Sequence, residues 1–364
     1  MASGKNRNVL ITGGAGFIGS NLAERLLRQP LTHVRIFDNL SRAGVTHNLA
    51  WLQSLAGPGR LEFIAGDICD ARRVLEAAEG VSEIYHLSAQ VAVTHSVENP
   101  RHDFEVNACG TFNVLEAARR SREKPFVLFT STNKVYGALE SLEVAADGTH
   151  YRAKESEFRG VTEATPIDFH SPYGCSKGAA DQYVRDYARI YDLPTVVFRM
   201  SCIAGPRQFG NEDQGWVAHF LYSALNNRPV TVYGTGLQVR DVLHVHDLVD
   251  AMMAAPAAGA RCHGQVYNLG GGMERAVSVC EMLRMIEQLT GKQLLVRNRL
   301  GRPGDQPLYV SDTSKLQAHT GWQPRRSLAQ TLSGIHDFWR KNRQQISAVA
   351  DGMTMEPELA EEVA

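Results

Sequence analysis

The chain lacks the features by which several functional classes are recognised. No apolar run approaches the ~20 residues that a bilayer-spanning helix requires. Asn8-Val9-Leu10-Ile11 is only strand length, too short for the apolar core of a secretory signal. Neither sign of charge is in excess, since 38 Lys+Arg against 39 Asp+Glu leave a formal net charge of −1. That balance gives no general pull toward nucleic acid or a membrane surface, so an anionic ligand must be held by local groups. The six cysteines (69, 109, 175, 202, 262 and 280) never fall as Cys-x-x-Cys. A disulfide framework is therefore not indicated, and reduced thiols in a cytoplasmic protein are expected. Thirteen histidines include one close pair, His244 and His246, with Asp247 adjacent. No further ligand set of recognisable spacing joins them, so no metal is expected. Internal repeats and low-complexity stretches are also missing.

What is present is an ordinary globular composition, 43% apolar and 21% charged over 364 residues. Apolar, β-rich runs at Val9–Thr12, Val34–Phe37, Leu61–Ala65, Glu83–Leu87, Phe126–Thr130 and Thr195–Phe198 read as strands. Segments of helical period lie between them, as at Ile18, Leu22 and Leu26 or Phe112, Leu115 and Ala118. This alternation predicts an α/β protein with a Rossmann-type, doubly wound parallel sheet covered on both faces. Ala138–Thr165 is polar and aperiodic and reads as a long loop over a site. From about Met200 the alternation fades into short strands (Val230–Tyr233, Val266–Leu269) and helices (Val277–Leu289, Leu328–Lys341). The division expected is residues 1–199 for a dinucleotide-binding domain with its catalytic helix and 200–345 mainly for a smaller α/β substrate lobe. Residues 346–364, with four glutamates and little to bury, are expected to be a disordered tail.

The first strand runs into Gly13-Gly14-Ala15-Gly16-Phe17-Ile18-Gly19, which opens a helix. Glycines at 13, 16 and 19 allow a tight turn, close approach of backbone to a pyrophosphate, and close helix–strand packing. The helix start adds unpaired N–H donors and partial positive charge. Asp38 follows Gly19 by 19 residues, at the end of the second strand. A carboxylate there bonds an adenosine ribose and repels a 2′-phosphate, which predicts NAD as cofactor.

Tyr173-Gly174-Cys175-Ser176-Lys177 places a phenol and an ammonium on one helix face, four residues apart. Tyrosine ionises near pH ~10 and is a poor base at neutrality. A neighbouring ammonium and a positively charged nicotinamide are expected to lower that value. Tyr-x-x-x-Lys alone is more often a core tyrosine beside a solvated lysine. Its weight here comes from Thr130-Ser131-Thr132-Asn133-Lys134-Val135-Tyr136-Gly137, at the C-terminal end of a predicted strand, where open α/β sheets bind their ligands. Thr132 is placed to hydrogen-bond an oxygen that becomes a carbonyl.

Taken together, the glycine motif, Asp38, Gly66-Asp67-Ile68, Leu87-Ser88-Ala89-Gln90, Asn107 before Gly110-Thr111, and Tyr173/Lys177 resemble the extended short-chain dehydrogenase/reductase family across roughly residues 7–340. The resemblance implies a nucleotide-sugar enzyme using NAD, with Thr132, Tyr173 and Lys177 catalytic. It implies that Gly13, Gly16, Phe17, Ile18, Gly19, Asp38 and Asn39 hold the cofactor. Asp67 and Ile68 would flank adenine, and Leu87, Ala89 and Gln90 would line the cofactor. Asn107 would support the helix bearing Tyr173. A homodimer through the helices after Asn107 and bearing Tyr173 is implied as well.

Dehydratases of this family carry Asp-Glu after the catalytic threonine, and decarboxylases usually a glutamate where Lys134 stands. Here the pair is Asn133-Lys134, neither of which is a carboxylic acid, so both chemistries are disfavoured. Ser131–Gly137, His170–Tyr183 and Arg207-Gln208-Phe209 with Asp213–Trp216 resemble the branch that inverts C2 of a CDP-linked 3,6-dideoxyhexose through a transient ketone. The rivals are C4 epimerisation of a UDP- or dTDP-hexose and a catalytically silent NAD-binding protein. Asn133, Lys134, Arg207, Arg240 and Arg302 are the candidate substrate contacts, arginine's planar fork suiting phosphate oxygens. Cys202 and Ala204 depart from the family pattern of asparagine and tyrosine, which leaves the pocket beside them open to question.

Overall fold

The structure is a computed structural model, and it describes residues 7–301 and 305–343. β1 (Arg7–Thr12), α1 (Phe17–Leu27), β2 (Thr32–Asp38), α2 (Val45–Leu55), β3 (Leu61–Ala65), α3 (Ala71–Ala77) and β4 (Glu83–His86) come first. The short α4 (Val93–Glu98) and α5 (Pro100–Phe104) lead through a π-helical turn, Glu105–Cys109, into α6 (Gly110–Arg120) and β5 (Phe126–Thr132). A 3-10 turn, Asn133–Tyr136, precedes the hairpin β6 (Val144–Asp147) and β7 (His150–Ala153), then α7 (Ser171–Tyr191) and β8 (Thr195–Met200).

Among the described residues the main sheet has seven strands, the last of them β12 (Gln265–Leu269), in the order β3-β2-β1-β4-β5-β8-β12. Every pairing in it is parallel. β5, near the middle, is buried at all its positions, as a strand covered on both faces must be. Leu22, Leu26, Leu49 and Leu52 of α1 and α2 pack on one face. Val74, Leu115 and Val184 of α3, α6 and α7 pack on the other.

Beyond β8 lie β9 (Cys202–Ala204), α8 (Trp216–Leu225), β10 (Val230–Tyr233), β11 (Val239–His244), α9 (Val245–Ala257) and β12. β13 (Ala276–Ser278), α10 (Val279–Thr290), β14 (Val296–Arg299), β15 (Leu308–Tyr309), α11 (Ser314–Thr320) and α12 (Leu328–Lys341) complete the second lobe. Its core gathers Val217, Leu221, Ile286, Leu332 and Trp339. Two of its helices start on capping boxes, Ser278 with Glu281 and Ser327 with Gln330, each satisfying two otherwise unpaired N–H groups. β12 completes the main sheet, and Leu248 and Met252 of α9 join the core shared with α1 and α2.

The expected loop at 138–165 contains the β6–β7 hairpin. Its turn is Gly148-Thr149, with Gly148 at φ +59° in the first central position, where a two-residue hairpin loop favours glycine. Val144, Ala153 and Phe158 close a small apolar cluster with Val239, Leu308 and Val310. The strands are too short for alternation to show, so periodicity missed them. The expected C-terminal tail, 346–364, lies outside the described residues. Among the described residues no helix is long and apolar enough to cross a membrane.

Candidate active site

β1 ends at Thr12 and the chain turns at Gly13, whose φ is +68°. A Cβ on Gly13 would stand 2.8 Å from the Ser88 nitrogen, and one on Gly19 would stand 2.4 Å from the Gly13 carbonyl oxygen. Neither position accepts a side chain. Gly16, Phe17 and Ile18 form the start of α1, where Gly16 offers no side chain to the first-turn N–H groups. Those donors and the positive end of the helix fit a pyrophosphate. Asp38, buried at the end of β2, accepts from the N–H of Ala15 at 3.1 Å and of Leu40 at 2.9 Å. Burial nevertheless pushes its carboxyl above the usual range. Asn39 donates to Asp67 at 3.1 Å, so β2 and β3 bring Asp38, Asn39 and Asp67 to one edge of the cleft. Ile68 is 95% buried against α6, the complement of its 5% exposure. The N–H groups of Leu87 and Ser88 donate to the Thr12 hydroxyl at 3.2 and 3.3 Å, fixing the loop that carries Ala89. The floor, the bare helix start and the carboxylate edge suit a dinucleotide.

Gln90 and Asn107 have other duties than reaching outward. The Gln90 side chain bonds Asp103 at 2.8 Å and both backbone groups of Ala92. Asn107 sits in the π-helical turn, a feature that often marks functional sites. It accepts from the Gln90 N–H at 3.0 Å and donates toward the Gln90 carbonyl at 3.0 Å and Ser176 at 3.1 Å. Together they tie the loop after β4 and the end of α5 to Ser176 of α7.

β5 delivers Thr132, and α7 delivers Tyr173 and Lys177, all three buried. The Thr132 hydroxyl accepts from the Lys134 N–H at 3.2 Å and stands near enough to the Tyr173 phenol to favour its ionised form. The Lys177 ammonium lies 4.1 Å from the centre of the Phe129 ring, an arrangement that favours a cation over the aromatic face. Before any cofactor charge is added, burial is the largest influence on both groups. Burial pushes Tyr173 up to about 12, with Thr132 and Arg42 opposing and Asp103 adding. Burial also pulls Lys177 down to about 7, against Asp181 and Asp103. Desolvation disfavours the charged form of each group and outweighs the neighbouring charges. Arg42, in the loop after β2, faces both Tyr173 and Asp38. It carried no sequence motif.

The substrate candidates separate. Arg240, on β11, donates to Asp305 at 2.7 Å and to the Val239 carbonyl at 2.7 Å. The Lys134 ammonium reaches the same Asp305 oxygen at 3.3 Å. Asn133 donates to Gln306 at 3.2 Å, and Gln306, fully buried, returns a bond to the Gly137 carbonyl at 2.7 Å. Consecutive residues after Thr132 are thus tied to consecutive residues of the second lobe. Arg207 stands elsewhere. It takes a left-handed backbone, φ +69°, and its guanidinium stacks on Trp51 and Phe338. Its carbonyl accepts from Asn48 at 3.4 Å, and burial lowers it to about 10. In this arrangement Arg207 joins the two lobes through an aromatic stack. Arg302 lies outside the described residues.

Ala204 is fully buried in the second-lobe core, and burial pushes the Cys202 thiol up to about 12. His244 caps α9 by accepting from the His246 N–H at 3.0 Å, while Asp247 pairs with Arg326 at 2.5 Å. Among the described residues no His, Cys, Asp and Glu cluster is arranged to hold a metal.

The profile of the GDP-mannose 4,6 dehydratase family matches residues 10–335. The chain belongs to that family. It is 42% identical over 337 residues to the CDP-paratose 2-epimerase of Salmonella typhi, covering 91% of this chain and 98% of that one. Among solved structures, the Streptomyces venezuelae DesIV double mutant, a dTDP-glucose 4,6-dehydratase with NAD and DAU bound, superposes with a TM-score of 0.81. It has 29% identity and 94% and 99% coverage. The UDP-glucuronic acid 4-epimerase of Bacillus cereus, in complex with UDP-glucuronic acid and NAD, gives a TM-score of 0.78. There the identity is 26% and the coverage 92% and 99%. The extended short-chain dehydrogenase/reductase architecture read from the motifs is the one these relatives share.

Proposed function

We propose that this member of the GDP-mannose 4,6 dehydratase family is an NAD-dependent nucleotide-sugar epimerase that inverts C2 of a CDP-linked 3,6-dideoxyhexose. The observation that carries this reading is the pair Asn133-Lys134. The Thr132/Tyr173/Lys177 group is complete, yet the two positions that serve as acid and base in dehydratases hold an amide and an ammonium, engaged with Gln306 and Asp305. The 42% identity to a CDP-paratose 2-epimerase supports the choice of carbon and nucleotide.

NAD, when bound, supplies the acceptor that takes hydride from the sugar carbon and returns it, along with a positive ring charge. The chain's own groups handle the proton. Tyr173 receives it from the sugar hydroxyl and gives it back, while Thr132 holds the oxygen as it gains carbonyl character. Lys177, held against Phe129, keeps positive charge under the phenol. Gly13, Gly16, Phe17, Ile18, Gly19, Asp38, Asn39, Asp67 and Ala89 would hold the dinucleotide, and Arg240 with Arg302 the substrate diphosphate. A homodimer is supported by exposed Phe104, Phe112, Tyr183 and Ile190 on α5, α6 and α7. The protein would work in the cytoplasm, in carbohydrate biosynthesis.

The test is incubation of the purified protein with CDP-, UDP- and dTDP-hexoses in turn, with products read by NMR. Inversion at C2 of the CDP-sugar is expected. Inversion at C4 with C2 untouched overturns the assignment.

A further inference from the structure

Asp103, at the end of α5, is fully buried. A carboxylate out of water must be paired, hydrogen-bonded or protonated. One oxygen accepts from Gln90 at 2.8 Å and from Asn107 at 3.2 Å, and the other accepts from the Ser176 hydroxyl at 2.5 Å. All three donors are neutral. Ser176 is the residue before Lys177, and its hydroxyl also lies 3.2 Å from the Tyr173 carbonyl oxygen. The other carboxylate on this side, Asp181, is already matched by the Arg199 guanidinium through bonds of 2.8 and 2.9 Å. Among the described residues Asp103 makes no ion pair, and its charge acts on both Lys177 and Tyr173.

We infer that Asp103 is a positioning residue for the Tyr173/Lys177 pair. From behind Ser176 it supplies the buried negative charge that holds Lys177 as an ammonium, and it locks the face of α7 that carries both groups. The inference rests on the epimerase reading only for the meaning of the pair, not for its geometry. The remaining charged or titratable groups facing the pair are Arg42 from the loop after β2, Asp181 with Arg199 from α7 and β8, and His86 from β4. Burial and the Lys177 charge hold His86 down to about 3, so it is neutral.

Tyr173 and Lys177 titrate as a coupled pair. A nearby negative charge favours the protonated form of each, so removing it moves both steps of the pair to lower pH. Asp103→Asn removes the charge and keeps the shape. Its amide can donate to Ser176, whose hydroxyl then turns to the Tyr173 carbonyl. In the NAD-loaded protein, tyrosinate absorbance is titrated in Asp103→Asn and wild type, each after subtraction of its Tyr173→Phe counterpart, and kcat is followed over the same range. The tyrosinate step and the rising limb of kcat are expected about one pH unit lower in the variant, while Asp103→Glu retains the wild-type limb. If Asp103→Asn does not fold, Asp103→Ser removes the charge with room for water and is expected to give the same shift. A limb within ~0.2 unit of wild type, with kcat lowered equally at every pH, overturns the proposal and leaves Asp103 a purely structural residue. The tyrosinate titration needs no turnover. A protein that shows the shift but epimerises nothing refutes the proposed function and keeps this one, and turnover without the shift does the reverse.

Discussion

Asn133 and Gln306 hold each other across the two lobes, the Asn133 amide donating to the Gln306 carbonyl oxygen at 3.2 Å. Beside them Lys134 and Asp305 repeat the link with opposite charges at 3.3 Å. The segment that carries Thr132 is therefore registered against the lobe that carries Arg240. Replacing either residue of Asn133-Lys134 by a carboxylate costs this registration before it adds any acid or base.

Gln306→Ala should leave the buried Asn133 amide and Gly137 carbonyl without partners. Denaturant unfolding is expected to report a loss of about 2 kcal/mol or more. Because the catalytic segment loses its anchor, kcat should fall more than KM rises. A stability change near zero would mean that water replaces the glutamine fully.

Tyr173→Phe should lower kcat at least ~10²-fold, the usual contribution of a positioned proton-transfer group. Mass spectrometry of ligand released on denaturation should find NAD in the variant and wild type alike. Full turnover in the variant removes Tyr173 from the mechanism.

Arg207→Ala should change KM for the nucleotide sugar less than twofold, since its guanidinium stacks on Trp51 and Phe338. The cost should appear in stability, on the order of 1 kcal/mol from lost stacking and stem packing. A tenfold rise in KM with unchanged stability would return Arg207 to the substrate.

His86 is clamped between the hydroxyls of Thr12 and Thr111 at 2.8 and 2.9 Å. Its depressed folded value, about 3, means that between the two values the unfolded chain binds a proton the folded chain refuses. Stability should therefore fall as pH drops from about 6.5, the unfolded value, toward the folded one, by up to about 1.4 kcal/mol per unit from this residue. In His86→Gln that slope should be shallower, as read from denaturant midpoints across this range. An unchanged slope assigns the acid sensitivity to other groups, such as His244, which burial also holds down to about 3.

What could be read in advance was whatever the chain writes locally. β1, the glycine turn and α1 are contiguous, and Tyr173 and Lys177 share a helix face by spacing alone. Asp103, Gln306 and Arg42 were invisible because each acts on residues far away in sequence, and nothing near them marks that meeting. The stack of Arg207 on Trp51 and Phe338 was equally invisible, since those rings lie far from it in sequence. For the tyrosine–lysine pair, spacing gives the charges but not the burial that opposes them.

The most direct measurement is equilibration of a CDP-linked 3,6-dideoxyhexose with the NAD-loaded protein in heavy water, followed by proton NMR. Return of the same hydride predicts the C2 epimer with protium retained at C2. Deuterium appearing at C2 during inversion would mean that a proton, not a hydride, leaves that carbon, and the account built on Tyr173 would be wrong.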